Sequence, residues 1–134
     1  MKLKLNPKPF RYSLGNQGEE IAEAYLRTQG FEIVTRNYRC PLGEIDLVAK
    51  KKGRYHFVEV KTRSDHDKGL PQEAVHPKKQ KRLIQLVMWY LKERKLNDVP
   101  VALDVIAVTQ PFQRAARIRY IPNAFMIQDV IHDR

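Results

Sequence analysis

The sequence predicts an α/β (α+β) fold: one central mixed sheet of four to five strands flanked by helices. Three observations carry this. Helical and strand periodicities run in the order helix, three strands, helix, then one or two strands, a pattern that packs layers around a single sheet. The length, 134 residues, fills one domain and leaves no room for a second. The composition, 43% hydrophobic and 30% charged, is ordinary for a globular chain with one core. We expect a basic N-terminal arm over residues 1–12 and a single domain over 13–134.

Each element has its own signature. Residues 13–29 read as a helix: Ser13 suits an N-cap, Ile21, Ala22, Tyr25 and Leu26 recur at helical spacing, and Gly30 stops the run. Phe31, Ile33 and Val34 mark a strand over 31–38, and Pro41 with Gly43 a turn. Residues 44–50 and 54–62 are two further strands, rich in β-branched and aromatic side chains. A polar loop over 64–71 precedes a long helix over 77–95, with Pro100 beyond its end. Residues 101–109 form an apolar strand interrupted by Asp104; 117–121 form a last strand, and the tail a short helix. The centre of the second helix, from Leu83 to Leu91, is apolar almost all round. Such a helix requires cover on more than one side, so it either runs deep in the domain or supplies a dimer contact. We favour the first, with Met88 and Trp89 read as core.

The formal charge is +10, from 25 basic and 15 acidic residues. The excess is clustered: Lys50, Lys51, Lys52 and Arg54; Lys78, Lys79, Lys81 and Arg82; Arg114, Arg117 and Arg119. Clusters of one sign suit a polyanion, whose counterions are released on binding. No basic amphipathic helix with an aromatic face stands out, so a membrane is not the expected partner. The first residues carry lysines without an apolar core, unlike a signal peptide, and the longest apolar run is too short to span a bilayer. One cysteine, Cys40, excludes an internal disulfide and a cysteine metal cluster. A cytoplasmic protein is expected.

The chemistry lies in two strands, Gly43-Glu44-Ile45-Asp46-Leu47-Val48 and Phe57-Val58-Glu59-Val60-Lys61. Glu59 and Lys61, two apart, share a strand face. If Lys52-Gly53 forms a two-residue hairpin loop, the register sets Asp46 opposite Glu59, and Glu44 opposite Lys61. A four-residue loop keeps that register; a three-residue loop with a bulge does not. Directly opposed carboxylates, with Cβ atoms about 5 Å apart, repel each other. Their apolar neighbours Ile45, Leu47, Val58 and Val60 imply central strands, where desolvation makes that repulsion worse. Lys61 offsets part of it; a hard divalent cation offsets more. Taken singly, each of these residues reads most simply as part of an ion-pair ladder on a sheet face. Three charges pointing one way from such apolar strands favour a site.

Asp46 followed by Glu59-Val60-Lys61 resembles the D…(D/E)-x-K signature of restriction-endonuclease-like nucleases. More closely, Gly15-Asn16-Gln17-Gly18-Glu19-Glu20, Gly43-Glu44-Ile45-Asp46-Leu47 and Phe57-Val58-Glu59-Val60-Lys61-Thr62-Arg63 resemble the YraN family of predicted endonucleases, which is similar to archaeal Holliday-junction resolvases. The likeness runs over about residues 14–108. It implies a restriction-endonuclease-like fold and metal-assisted phosphodiester hydrolysis. Asp46 and Glu59 would hold Mg²⁺ or Mn²⁺, and Lys61 would position water or stabilise charge on the phosphate. A first-helix glutamate joins the site in resolvase-like members. Glu19 shares a helical face with Ala22 and Leu26 and is our choice over Glu20, which sits with Glu23 and Ala24. Glu44 would stand beside the site. Backbone contacts to nucleic acid, DNA for preference, are expected from Arg36, Arg39, Arg63, Lys78, Lys79, Gln80 and Lys81. No base-reading module is seen, so selection by structure, such as a branch or junction, is expected, and a homodimer would suit paired cuts.

Other chemistries have less support. There is no G-x-S-x-G elbow, and Cys40 has no evident catalytic partner. His56, His66, His76 and His132 are scattered. The serious rival is a non-catalytic nucleic-acid-binding module with a vestigial metal site. A protein-interaction adaptor docking through the apolar second helix is a third reading.

Overall fold

A computed structural model describes residues 14–63, 77–110 and 115–125. The expected arm over 1–12, the Ser13 cap, the polar loop over 64–71 and the tail helix lie outside these. Helix α1 (Leu14–Thr28) is followed by strands β1 (Glu32–Cys40), β2 (Gly43–Lys51) and β3 (Arg54–Arg63). Helix α2 (Pro77–Glu93), β4 (Val101–Thr109) and β5 (Arg117–Phe125) complete the order. The five strands form one sheet in the sequence β1-β2-β3-β4-β5. Only β3 and β4 run parallel, which a connection carrying a helix permits; the other neighbours are antiparallel.

The sheet is covered on both faces. Ala22 and Leu26 of α1 pack with Phe31, Leu47, Ala49, Val58, Ile106 and Val108. On the other side Leu83, Leu86, Val87 and Tyr90 of α2 pack with Ile45, Val48, Phe57, Leu103 and Val105. Burying each such side chain contributes roughly 1.5–3 kcal/mol, so the two helices fix the sheet between them. Among the described residues no helix is long and apolar enough to cross a membrane.

Between β2 and β3 the hairpin takes the tight form expected. Lys52 and Gly53 both have positive φ, 50° and 79°, as a type I′ turn requires. The register runs from Lys51↔Arg54 to Leu47↔Val58 and stops there. Asp46 and Glu59 are therefore not ladder partners, nor are Glu44 and Lys61; on its other edge Glu44 pairs with Arg39 of β1.

A local break explains this. Between Thr35 and Cys40 of β1, every residue has a partner on β2 except Asn37, whose position faces Asp46. Asn37 has φ of 49°, a conformation asparagine tolerates better than most residues. Strict alternation would send Ile45 and Val48, three apart, to opposite faces, yet both join the core under α2. The slip falls at Asp46, whose side chain is half-buried and reaches across to β3.

The second helix corrects one expectation. It buries Leu83, Ile84, Leu86, Val87 and Tyr90, but Met88 is 58% exposed and Trp89 40%. The helix lies on the sheet by one face and is not enclosed; these two side chains are not core.

Candidate metal centre

The acids gather where α1, β2 and β3 meet. Glu19 comes from the second turn of α1, while Glu44 and Asp46 come from β2. One carboxylate oxygen from each lies within 4.8 Å of the other two. Glu19 reaches this point because α1 approaches β3 closely. A Cβ on Gly18 would meet the Thr62 hydroxyl and stand 3.3 Å from the Thr62 Cβ, so any larger residue there requires Thr62 to shift. Glu44 is exposed and accepts a bond from Arg39 Nε at 3.1 Å.

Asp46 is anchored across the strands. Its Oδ2 accepts the Val60 N–H at 2.8 Å, taking over a backbone donor just beyond the point where the β2–β3 ladder stops. Burial pushes the Asp46 carboxyl up to about 8; the charges of Glu59, Glu19 and Glu44 add to the rise, and the Val60 N–H opposes it.

Glu59, 9% exposed, projects on the α2 side of β3. Its Oε1 accepts a bond from Lys79 Nζ of α2 at 2.5 Å. Burial works against the Lys79 charge, but Glu59 outweighs it and holds the ammonium above the ordinary lysine range. Lys61 lies beside both. Burial and the neighbouring Lys79 hold Lys61 below that range, against the pull of Glu59 and Asp46.

The structure thus brings Glu19 and Asp46 together, adds Glu44, and gives Glu59 a lysine counter-ion. Sequence reasoning assigned Lys79 to phosphate contact and missed its pairing with Glu59. A signal existed: α2 has no acid in its first turn, although cations there oppose the helix dipole, so a lysine at that end has some other partner to satisfy. Of the other expected phosphate contacts, Arg36 is exposed but paired with an acid of α1. Its Nε and Nη2 bond the two oxygens of Glu23, tying β1 to α1. Arg39 is committed to Glu44. Arg63 and Gln80 are half-buried, and Lys78 and Lys81 are exposed on α2. Glu20 is half-buried on α1, outside the three-acid group.

A second polar cluster was not foreseen. Asp104, 1% exposed, accepts from Tyr120 Oη at 2.6 Å and from the Asn123 N–H at 2.9 Å, and its Oδ2 lies 2.7 Å from His56 Nδ1. Burial and the Asp104 carboxylate raise the Tyr120 phenol above its ordinary range. The lone acid in an apolar strand was the visible signal; its partners were not.

The stretch from Gly18 to Val108 matches the model of the uncharacterised protein family UPF0102. The chain is a member of UPF0102. The matched residues include every acid and lysine of the site. Curated UPF0102 relatives are similar over nearly their whole length. One from Syntrophotalea carbinolica is 47% identical over 115 residues, 86% of this chain and 93% of its own. One from Desulforapulum autotrophicum is 47% identical over 112 residues, 84% and 92%. One from Geotalea uraniireducens is 41% identical over 113 residues, 84% and 89%. UPF0102 is thus the family the motifs resemble.

Proposed function

We propose that this UPF0102 protein is a divalent-metal-dependent endonuclease that hydrolyses nucleic-acid phosphodiester bonds, with branched or junction-like DNA as its preferred substrate. The observation that carries the reading is the convergence of Glu19, Glu44 and Asp46 oxygens within 4.8 Å, beside Glu59 and two lysines, in a chain of charge +10. The donor set fits a hard cation of the Mg²⁺ or Mn²⁺ class, which takes carboxylate oxygens and completes its shell with water and phosphate. Bound there, such an ion supplies Lewis acidity to the scissile phosphate and lowers the pKa of a coordinated water.

The residues divide the work. Asp46 and Glu19 would hold the ion, with Glu44 able to join when Arg39 releases it. Glu59 would orient Lys61 and Lys79, and become a ligand when Lys79 moves from its carboxylate to a substrate phosphate. Lys61, with its reduced hold on its proton, would position the attacking water and meet charge developing on the phosphate. The exposed cations would bind backbone rather than bases.

The Glu59–Lys79 pair favours a second reading. An acid already neutralised by lysine has less need of a metal, as in a non-catalytic nucleic-acid-binding module with a vestigial site. Cleavage assays separate the two. Purified protein with Mg²⁺ or Mn²⁺ should cut branched or flapped DNA. Asp46→Asn and Lys61→Ala should reduce cutting by at least about a hundredfold, the scale of lost electrostatic stabilisation, while sparing binding. No cleavage of linear, nicked, branched or RNA substrates with either metal overturns the enzyme reading. Variants that cut as well as the parent assign the activity elsewhere.

A further inference from the structure

The outward face of α2 has no role in the acidic site. Lys78, Lys81, Arg82, Gln85, Trp89 and Lys92 are all exposed. At about 100° per residue they fall within roughly a third of the helix circumference, with Met88 at the border. Four of the six are cations and none is an acid. Glu93, at the far edge, accepts a bond from the Tyr38 hydroxyl at 3.2 Å and has Arg94 at 3.9 Å. Toward the C-terminal end of this basic stripe stands Trp89, 40% exposed.

We propose that the stripe is the track of a single nucleic-acid strand leading away from the acidic site, with an unpaired base stacked on Trp89. The strand's origin at the acids rests on the nuclease reading; its binding does not. Lys79, which touches Glu59, and Trp89 are ten residues apart, about 15 Å of helix axis. That is roughly four stacked nucleotides at about 3.4 Å each. Lys81 and Arg82 stand between the two points and Lys92 beyond, where a backbone following the helix would present phosphates. An indole face accepts any base, because every base has a π-face, so the contact selects unpaired strand over sequence. Paired bases within a duplex are already stacked and offer Trp89 no such face.

Two other occupants fit less well. In a twofold self-contact the same patch would meet itself, setting the cations of one copy against those of the other. A lipid surface calls for a broad apolar face, and Met88 and Trp89 are the only large exposed apolar side chains that α2 offers.

Trp89 is the sole tryptophan, so its fluorescence reports on this position alone. The full chain is titrated in EDTA with oligothymidylate of about 12 nucleotides, within the usual range of single-strand site sizes. A blunt duplex and phosphatidylserine vesicles are titrated in parallel. Single strand should quench Trp89 saturably and in a salt-dependent way, and the duplex should quench much less. Trp89→Ala should weaken single-strand binding about 5- to 150-fold, the range for losing one stacked base. Trp89→Phe, which keeps a ring and controls for folding, should retain most of the affinity. Lys81→Glu with Arg82→Glu should reduce both affinity and its dependence on salt.

Binding without quenching, equal quenching by duplex, or quenching by vesicles alone overturns the proposal. So does a Trp89→Ala variant that changes only the mass seen in light scattering, the mark of a self-contact. EDTA keeps the acidic site out of the measurement. Failure here leaves the metal chemistry standing, and an inert acidic site leaves this strand contact standing.

Discussion

Asp46 shows how far one side chain can be read. Its pairing with Glu59-Val60-Lys61 was visible as spacing, because two residues apart on a strand means one face. The use of its Oδ2 to take the Val60 N–H was not visible, since it depends on the break at Asn37. Nor was the Lys79 partner of Glu59, which comes from a helix 20 residues further on. The position of Asp46 has a pH consequence. The carboxyl releases its proton near 3.8 in the unfolded chain and at about 8 in the folded one. Between those values the folded state holds the extra proton, so this group's contribution to stability falls as pH rises. Thermal melts in EDTA should therefore show a decline toward pH 8 that Asp46→Asn flattens. Mn²⁺ should restore more stability at the upper end of this range, where it competes with fewer protons. An unchanged slope in Asp46→Asn would reject the assignment.

At the scale of elements, the contact of α1 with β3 decides where Glu19 lies. Gly18→Ala would drive a methyl into Thr62, and overpacking of this kind costs about 1–3 kcal/mol. We expect a lower melting temperature and weaker Mn²⁺ binding by calorimetry, both partly recovered when Thr62→Ala is added. A Gly18→Ala variant that binds Mn²⁺ like the parent would show that Glu19 is not a ligand. The element pattern itself was legible, because the helical periods and the Lys52-Gly53 turn are local signals. The burial of α2 was not. A run from Leu83 to Leu91 looks apolar all round, yet the sheet covers one face only, and sequence does not say which apolar residues a neighbour reaches.

For the whole molecule, the second polar cluster matters as much as the first. Asp104 joins three strands: its own β4, His56 on β3, and Tyr120 and Asn123 on β5. It also sits where the β4–β5 register shifts, between Leu103 and Val105. Asp104→Ala would leave a half-buried phenol, an imidazole and a backbone N–H without their acceptor. At about 1–3 kcal/mol for each orphaned group, urea denaturation should show a loss of roughly 3 kcal/mol or more, with Mn²⁺ affinity of the folded protein unchanged. A loss under about 1 kcal/mol would mean that water replaces the carboxylate. A lone acid in an apolar strand announces that some partner exists. His56 is 48 residues away and Tyr120 is 16, separations at which periodicity carries no information.

The crossover between β3 and β4 divides the chain in time as well as in space. Glu19, Glu44, Asp46 and Glu59 all precede it, on a helix and three strands joined by short local connections. Lys79 follows it. A ribosome building this protein from its N-terminus therefore makes all four acids before it makes the lysine that neutralises Glu59. The charge balance at Glu59 is therefore completed only once the chain has passed the crossover and α2 has docked on the sheet.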